Sequence, residues 1–166
     1  MDIVFKKAVP FFLLIAVLSL STYAQSVFKV PSQYPNIQAA IDAAWDGDTV
    51  LIADGEYSGE GNHDIRFFGK RITVRSENGP ERCLINLDDS DTDHAGWPST
   101  EYNGFYFTGL EDRSSILEGV QIYCLYSSQT SSCMAINIKN SSPKIFNCIF
   151  NHSYIQGWDT SPYIIN

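Results

Sequence analysis

The chain has 166 residues, 44% of them hydrophobic and 18% charged, with a formal net charge of −8. That length suits one folded domain, and that apolar fraction excludes an intrinsically disordered chain. With 11 Lys+Arg against 19 Asp+Glu the sequence lacks the basic stripe of a nucleic-acid binder, so nucleic acid is not an expected partner.

The first element is an address. Lys6 and Lys7 precede a nearly unbroken apolar run from Ala8 to Leu20. That run is shorter than the ~20 residues a membrane-spanning helix needs. Thr22 and Ala24 then place small residues where a signal peptidase reads them. Residues 1–24 therefore read as a secretory signal peptide, and the expected location is secreted or cell-surface. No segment after it is apolar enough to cross a membrane as a helix. Its removal would leave a net charge of about −9, which disfavours direct capture of a polyanion unless a cation intervenes.

Residues 25–47 read as a strand followed by a short helix. Val27–Val30 is the strand. Asn36 is placed to cap a helix whose apolar face is Ile37, Ala40, Ile41 and Ala44. The spacing predicts that Gly47 ends it in a left-handed position. Such a short helix is unstable alone and must lie on an apolar surface.

From residue 48 the hydrophobic period becomes two. Thr49–Ala53 reads as a strand closed by Asp54-Gly55. Ile72 and Val74 alternate with polar neighbours. The same holds for Cys83, Ile85 and Leu87, for Phe105 and Phe107, for Val120 and Ile122, for Ile136 and Ile138, and for Cys148 and Phe150. No helical pattern returns between them, which disfavours an α/β sheet. Tight hairpin signals are sparse.

A repeat decides among the remaining β architectures. Ser142-Pro143-Lys144-Ile145-Phe146-Asn147 recurs as Ser161-Pro162-Tyr163-Ile164-Ile165-Asn166, 19 residues on. A looser copy relates Leu117–Ile122 to Ile145–Phe150 at an offset of 28, with the extra residues assigned to the polar stretch 127–132. Such periods suit a solenoid. Asn147 and Asn166 are expected to stack at one corner, because Asn tolerates the left-handed conformation.

These residues resemble a known family. Val30 to Ala44, then Gly47-Asp48-Thr49-Val50 and Asp54-Gly55-Glu56-Tyr57, look like the start of a pectin-lyase-like protein. Gly69–Val74, Gly104–Phe107 and Ser141-Ser142-Pro143 with Asn147-Cys148 are similar to the later coils. The resemblance implies an all-β fold, a right-handed parallel β-helix over 48–166 with an N-terminal capping helix that plugs one apolar end. Two features depart from the family pattern. Trp45 stands where a small or slim residue is usual. The sequence also stops inside a repeat at Asn166, which leads us to expect the front of a longer protein or an incomplete product. Strand-edge self-association at an uncapped end is the physical alternative.

Candidate chemistry is concentrated in one cluster. Asp89, Asp91 and Asp93 alternate in a loop, where their carboxylates could converge on Ca²⁺. An EF-hand is excluded, because His94 and Thr100 occupy the positions that require Gly and Glu. His94 with Asp93 or Glu101 is a weaker acid–base candidate. Trp97, Tyr102 and Tyr106 lie close by and are candidate sugar platforms. His63 and His152 read as loop residues. Cys83, Cys124, Cys133 and Cys148 allow three pairings, and the strand positions of Cys83 and Cys148 read as buried thiols.

In the lyases the resemblance points to, an Arg in an Arg-Xaa-Pro context serves as base. No Arg of this chain has Pro two positions on. The hydrolase motifs are only echoed, by Asp88-Asp89 and Arg71-Ile72-Thr73, in reversed order. No catalytic residue is carried over. The expected function is therefore an exported, non-catalytic segment that interacts with extracellular polysaccharide or presents a surface, with no cofactor beyond calcium. The alternatives are a pectate-lyase-like enzyme or hydrolase, with its chemistry in the acidic loop or beyond the chain end, and a structural stalk.

Overall fold

A computed structural model of the chain describes residues 24–87, 103–124 and 133–165. β1 (Val27–Val30) and α1 (Ile37–Ala43) come first. The chain then winds through coils of three strands each. These are β2 (Thr49–Ile52), β3 (Gly55–Tyr57) and β4 (Ile65–Arg66), then β5 (Thr73–Ser76), β6 (Cys83–Asn86) and β7 (Phe105–Phe107). The next are β8 (Ile116–Glu118), β9 (Gln121–Tyr123) and β10 (Cys133–Lys139), followed by β11 (Lys144–Phe146), β12 (Ile149–Asn151) and β13 (Ser153–Trp158). β14 (Tyr163–Ile165) opens a further turn.

From β2 onward each strand pairs with the third strand along the chain, and β1 adds to the edge of β2. The sheets are β1-β2-β5-β8-β11-β14, β13-β10-β7-β4 and β12-β9-β6-β3. All pairings are parallel. The fold is a parallel β-helix.

Parallel sheets usually read as continuous apolar runs, because helices cover both faces. Here the described strands carry no outer layer, so alternate positions turn to solvent and the period of two survives. Val50, Val74, Leu117 and Ile145 stack in register inside the first sheet, each fully buried. Ile65, Phe105 and Ile136 do the same inside the third. Ile85 and Ile122 do so inside the second. Each such side chain contributes about 1.5–3 kcal/mol by burial.

The 19-residue repeat is the pairing register itself: Lys144 faces Tyr163, Ile145 faces Ile164 and Phe146 faces Ile165. The looser repeat sets Ile145 against Leu117 and Phe150 against Ile122. In the third sheet Cys133 faces Ser153, an offset of 20 rather than 28, so the extra residues lie between Tyr123 and Cys133. Asn147 turns its corner at φ +52, the left-handed conformation expected of it; its expected stacking partner Asn166 lies outside the described residues. Gly119 holds the equivalent corner of the coil before, at φ +68, where a Cβ would stand 2.6 Å from Ser76 Oγ.

Helix α1 plugs one end of the solenoid. Ile37, Ala40 and Ile41 are fully buried against the first coil. Asn36 caps it, accepting from the Ala39 amide at 2.8 Å. Its C-terminus differs from the sequence expectation. Helical backbone stops at Ala43, and Ala44 is already extended. Gly47 is left-handed, at φ +93, but belongs to the turn that follows. The reason lies in two side chains. Lys70 Nζ donates to the carbonyls of Ile41, Asp42 and Ala44 at 2.7–2.9 Å, satisfying the helix end without a glycine. Asp48 accepts from the amides of Trp45 and Ser26 and fixes the turn. Trp45 is not packed in the cap; it is 80% exposed.

The cysteines divide. Cys124 and Cys133 form a disulfide across the β9–β10 connection, with Cα atoms 6.2 Å apart. Cys83 and Cys148 are buried free thiols. Burial pushes Cys83 up to about 12 and Cys148 up to about 11, so both stay protonated and inert.

Candidate functional site

The outward positions of the third sheet carry the most chemistry among the described residues. Arg66 of β4, Tyr106 of β7, Asn137 of β10 and Gln156 of β13 lie side by side in register. Strand spacing sets them about 4.8 Å apart, forming a row along the solenoid axis. Their flanking residues Phe105, Phe107, Ile136 and Ile138 all point into the core. Tyr154 and Trp158 flank Gln156 on β13 and are 42% and 49% exposed. One surface thus presents amides, a guanidinium and three aromatic rings.

A local irregularity shapes this face. The register between β10 and β13 slips between Met134 and Ile136, leaving Ala135 as an extra, buried residue. Gly104 lies against that bulge, and a Cβ there would collide with the Ala135 carbonyl. Bulges re-aim neighbouring side chains. Here Met134 and Asn137 come to the same side, with Asn137 Nδ2 4.0 Å from Met134 Sδ.

Tyr106 is anchored from three directions. Arg66 stacks its guanidinium 4.1 Å from the ring centroid. Asn103 Nδ2 donates to the phenol oxygen. The hydroxyl in turn donates to Asp64. Asp64, at φ +51, turns the chain into β4, and its Oδ2 lies 3.1 Å from His63 Nδ1. Burial raises the Tyr106 hydroxyl above its ordinary value, and the charge of Asp64 adds to this; Arg66 offsets part of the rise. The hydroxyl is therefore a hydrogen-bond donor at neutral pH rather than a base. His63 lies in the β3–β4 connection, as expected of a loop residue, and joins this network with a side chain only 13% exposed. His152 sits at an exposed corner, edge-on to Tyr123 at 6.1 Å.

Of the residues singled out from sequence, Tyr106 falls on this face. Asp89, Asp91, Asp93, Trp97 and Tyr102, with His94 and Glu101, lie in 88–102, outside the described residues. That stretch joins β6 to β7 and ends at Asn103, next to Tyr106 and Asp64. Residues 1–23 of the expected signal peptide 1–24, and the polar stretch 127–132, are likewise outside the described residues. Among the described residues no three His, Cys, Asp or Glu side chains converge as a metal site, and no helix is long and apolar enough to cross a membrane.

Sequence reasoning missed Arg66, Asp64, Asn137 and Gln156. The last two carried a signal, because they share the 19-residue offset of the repeat. Arg66 and Tyr106 did not, because 88–102 intervenes and stretches their separation to 40. No protein-family model, curated protein or solved structure matches this chain.

Proposed function

We propose that the chain is an exported β-helix of the pectin-lyase-like kind that binds extracellular carbohydrate without turning it over. One observation carries the reading: the in-register row Arg66, Tyr106, Asn137 and Gln156, bordered by Tyr154 and Trp158. Amides offer paired donors and acceptors, and aromatic faces stack on the apolar faces of sugar rings. A linear row along the axis suits an extended polymer.

The test is calorimetry of the purified chain with neutral and acidic oligosaccharides. Asn137→Ser with Gln156→Ser is expected to weaken binding at least several-fold while leaving Tm near that of the parent. Equal affinity in the double variant would overturn the reading.

A second reading, a calcium-dependent polysaccharide lyase, is favoured by one feature. The connection bearing Asp89, Asp91 and Asp93 runs into β7 beside Arg66. Unsaturated product released from pectate, and lost on adding a chelator, would select it. Neither binding nor product would leave a structural stalk.

A further inference from the structure

The solenoid end plugged by α1 holds a second surface, remote in sequence from the row above. Trp45 is 80% exposed and Phe68 is 62% exposed. Both line one open groove of about 1100 Å³, together with Asp42, Asp46, Asp48 and Lys70. An isolated exposed ring needs no explanation, but two in one concave site do.

Phe68 stands out for its backbone as well. It sits at φ +55, a region bulky residues rarely adopt, while its neighbour Phe67 is fully buried. The conformation is held from behind by a buried carboxylate. Glu111, 2% exposed, accepts from the amides of Gly69 and Gly109 at 2.9 and 2.8 Å and from the Ser141 hydroxyl at 2.8 Å. Three turns from three coils converge on that side chain and fix the corner that turns Phe68 outward. Backbone strain maintained in this way is a reason to look for function.

The charges define what the groove can take. Lys70 is the one basic side chain lining it among the described residues, and its ammonium donates to three helix carbonyls. Asp48 is spent on two amides. Asp42 and Asp46 each give one oxygen to a neighbour, Gln38 Nε2 and the Arg71 amide. Each keeps a second oxygen without a partner among the described residues. Three carboxylates against one ammonium leave the groove net negative, beside two exposed aromatic rings. An anionic sugar would be repelled. A cation with an apolar envelope meets both features, because ring faces attract ammonium groups and carboxylates add to the attraction.

We propose that this groove binds an organic cation, a primary or quaternary ammonium group flanked by methyl or methylene carbons. The probe is the full chain titrated with tetramethylammonium and with n-butylammonium, following the Trp45 indole resonance by NMR; Trp45→Phe assigns it. Maltotriose and galacturonate are the controls. Saturable shifts with both ammonium probes, and none with the controls, are expected. Phe68→Gly suits the left-handed backbone and so retains the fold; it should weaken binding about two- to five-fold. Asp46→Asn keeps the acceptor for Arg71 and should weaken binding by a smaller factor. Added salt should weaken it too. Equal shifts with maltotriose, unchanged affinity in a folded Phe68→Gly chain, or no saturation with either cation would each overturn the proposal.

Discussion

The two ends of the solenoid are built from the same column of side chains and treat it oppositely. At the α1 end, Ile37, Ala40 and Ile41 are fully buried over the first coil, and Phe28, which pairs with Val50 in that column, is partly buried. The exposed edge of the third sheet is covered as well. Gln38 accepts from the Arg66 amide at 2.8 Å and donates to its carbonyl at 3.2 Å, standing in for a neighbouring strand on β4. At the β14 end, Ile164 occupies the column of Val50, Val74, Leu117 and Ile145. Those four are fully buried, whereas Ile164 is 41% exposed. Tyr163 and Ile165 are exposed beside it. Ile145 and Ile164 share residue type and register, and differ in that Ile145 is sandwiched between two strands whereas Ile164 is paired on one side. In a solenoid, burial is a property of the stack rather than of the strand.

The comparison can be sharpened first by truncation. Ile41→Ala should cost about 2–5 kcal/mol, because it opens a cavity between helix and coil. Ile164→Ala should cost less than about 1 kcal/mol, because water already reaches the site. Chemical denaturation of the two variants checks the contrast, and equal losses would break it.

Next in size is the disulfide. Its cysteines are nine residues apart, and reduction should lower stability by about 2–3 kcal/mol on the chain-entropy model. The loss is read as a shift in denaturation midpoint with and without reductant.

The alkaline limb follows. Cys83 and Cys148 bind their protons up to about pH 12 and 11 when folded, against 9.0 for the free group. The unfolded chain therefore loses these protons first, and stability should fall as pH rises from 9 toward 12. Cys83→Ala should flatten that slope in a pH series of thermal melts. Below pH 9 neither native thiol should react with iodoacetamide until the chain unfolds.

The helix cap is smaller. Asn36→Ala should cost about 1 kcal/mol, through loss of the bond to the Ala39 amide. Hydrogen exchange should show the loss in α1 before it shows in β8 or β11. The last variant, Ile164→Asp, tests association rather than stability. If the exposed edge mediates self-association, that charge should shift the protein toward monomer in light scattering at a fixed concentration. An unchanged mass for an oligomeric parent would remove the edge from consideration.

Much of this fold was legible without coordinates. Alternation marked the inward residues of most coils correctly, because the outer face of each described strand meets water. The six-residue repeat at Ser142 and Ser161 stated the register of β11 on β14. The short strands β3 and β4 were not legible, since two or three residues carry too little pattern to outweigh turn signals such as Asp54-Gly55. The end of α1 was misplaced because a distant lysine, rather than a local glycine, satisfies its carbonyls. The candidate site was half legible. Tyr106 stood out as an aromatic, but its partners Arg66 and Asp64 are about 40 residues upstream.

The sequence by itself determined the class of architecture, many of the core residues and the left-handed corner at Asn147. Those features depend on local period and on repetition, which a single chain displays. Only the tertiary structure decided which outward side chains form one row, which cysteines pair and which stay buried, and how Glu111 fixes the corner that carries Phe68. These depend on where each insertion falls in the winding. An insertion shifts every later residue along the sequence while leaving its place in the stack unchanged.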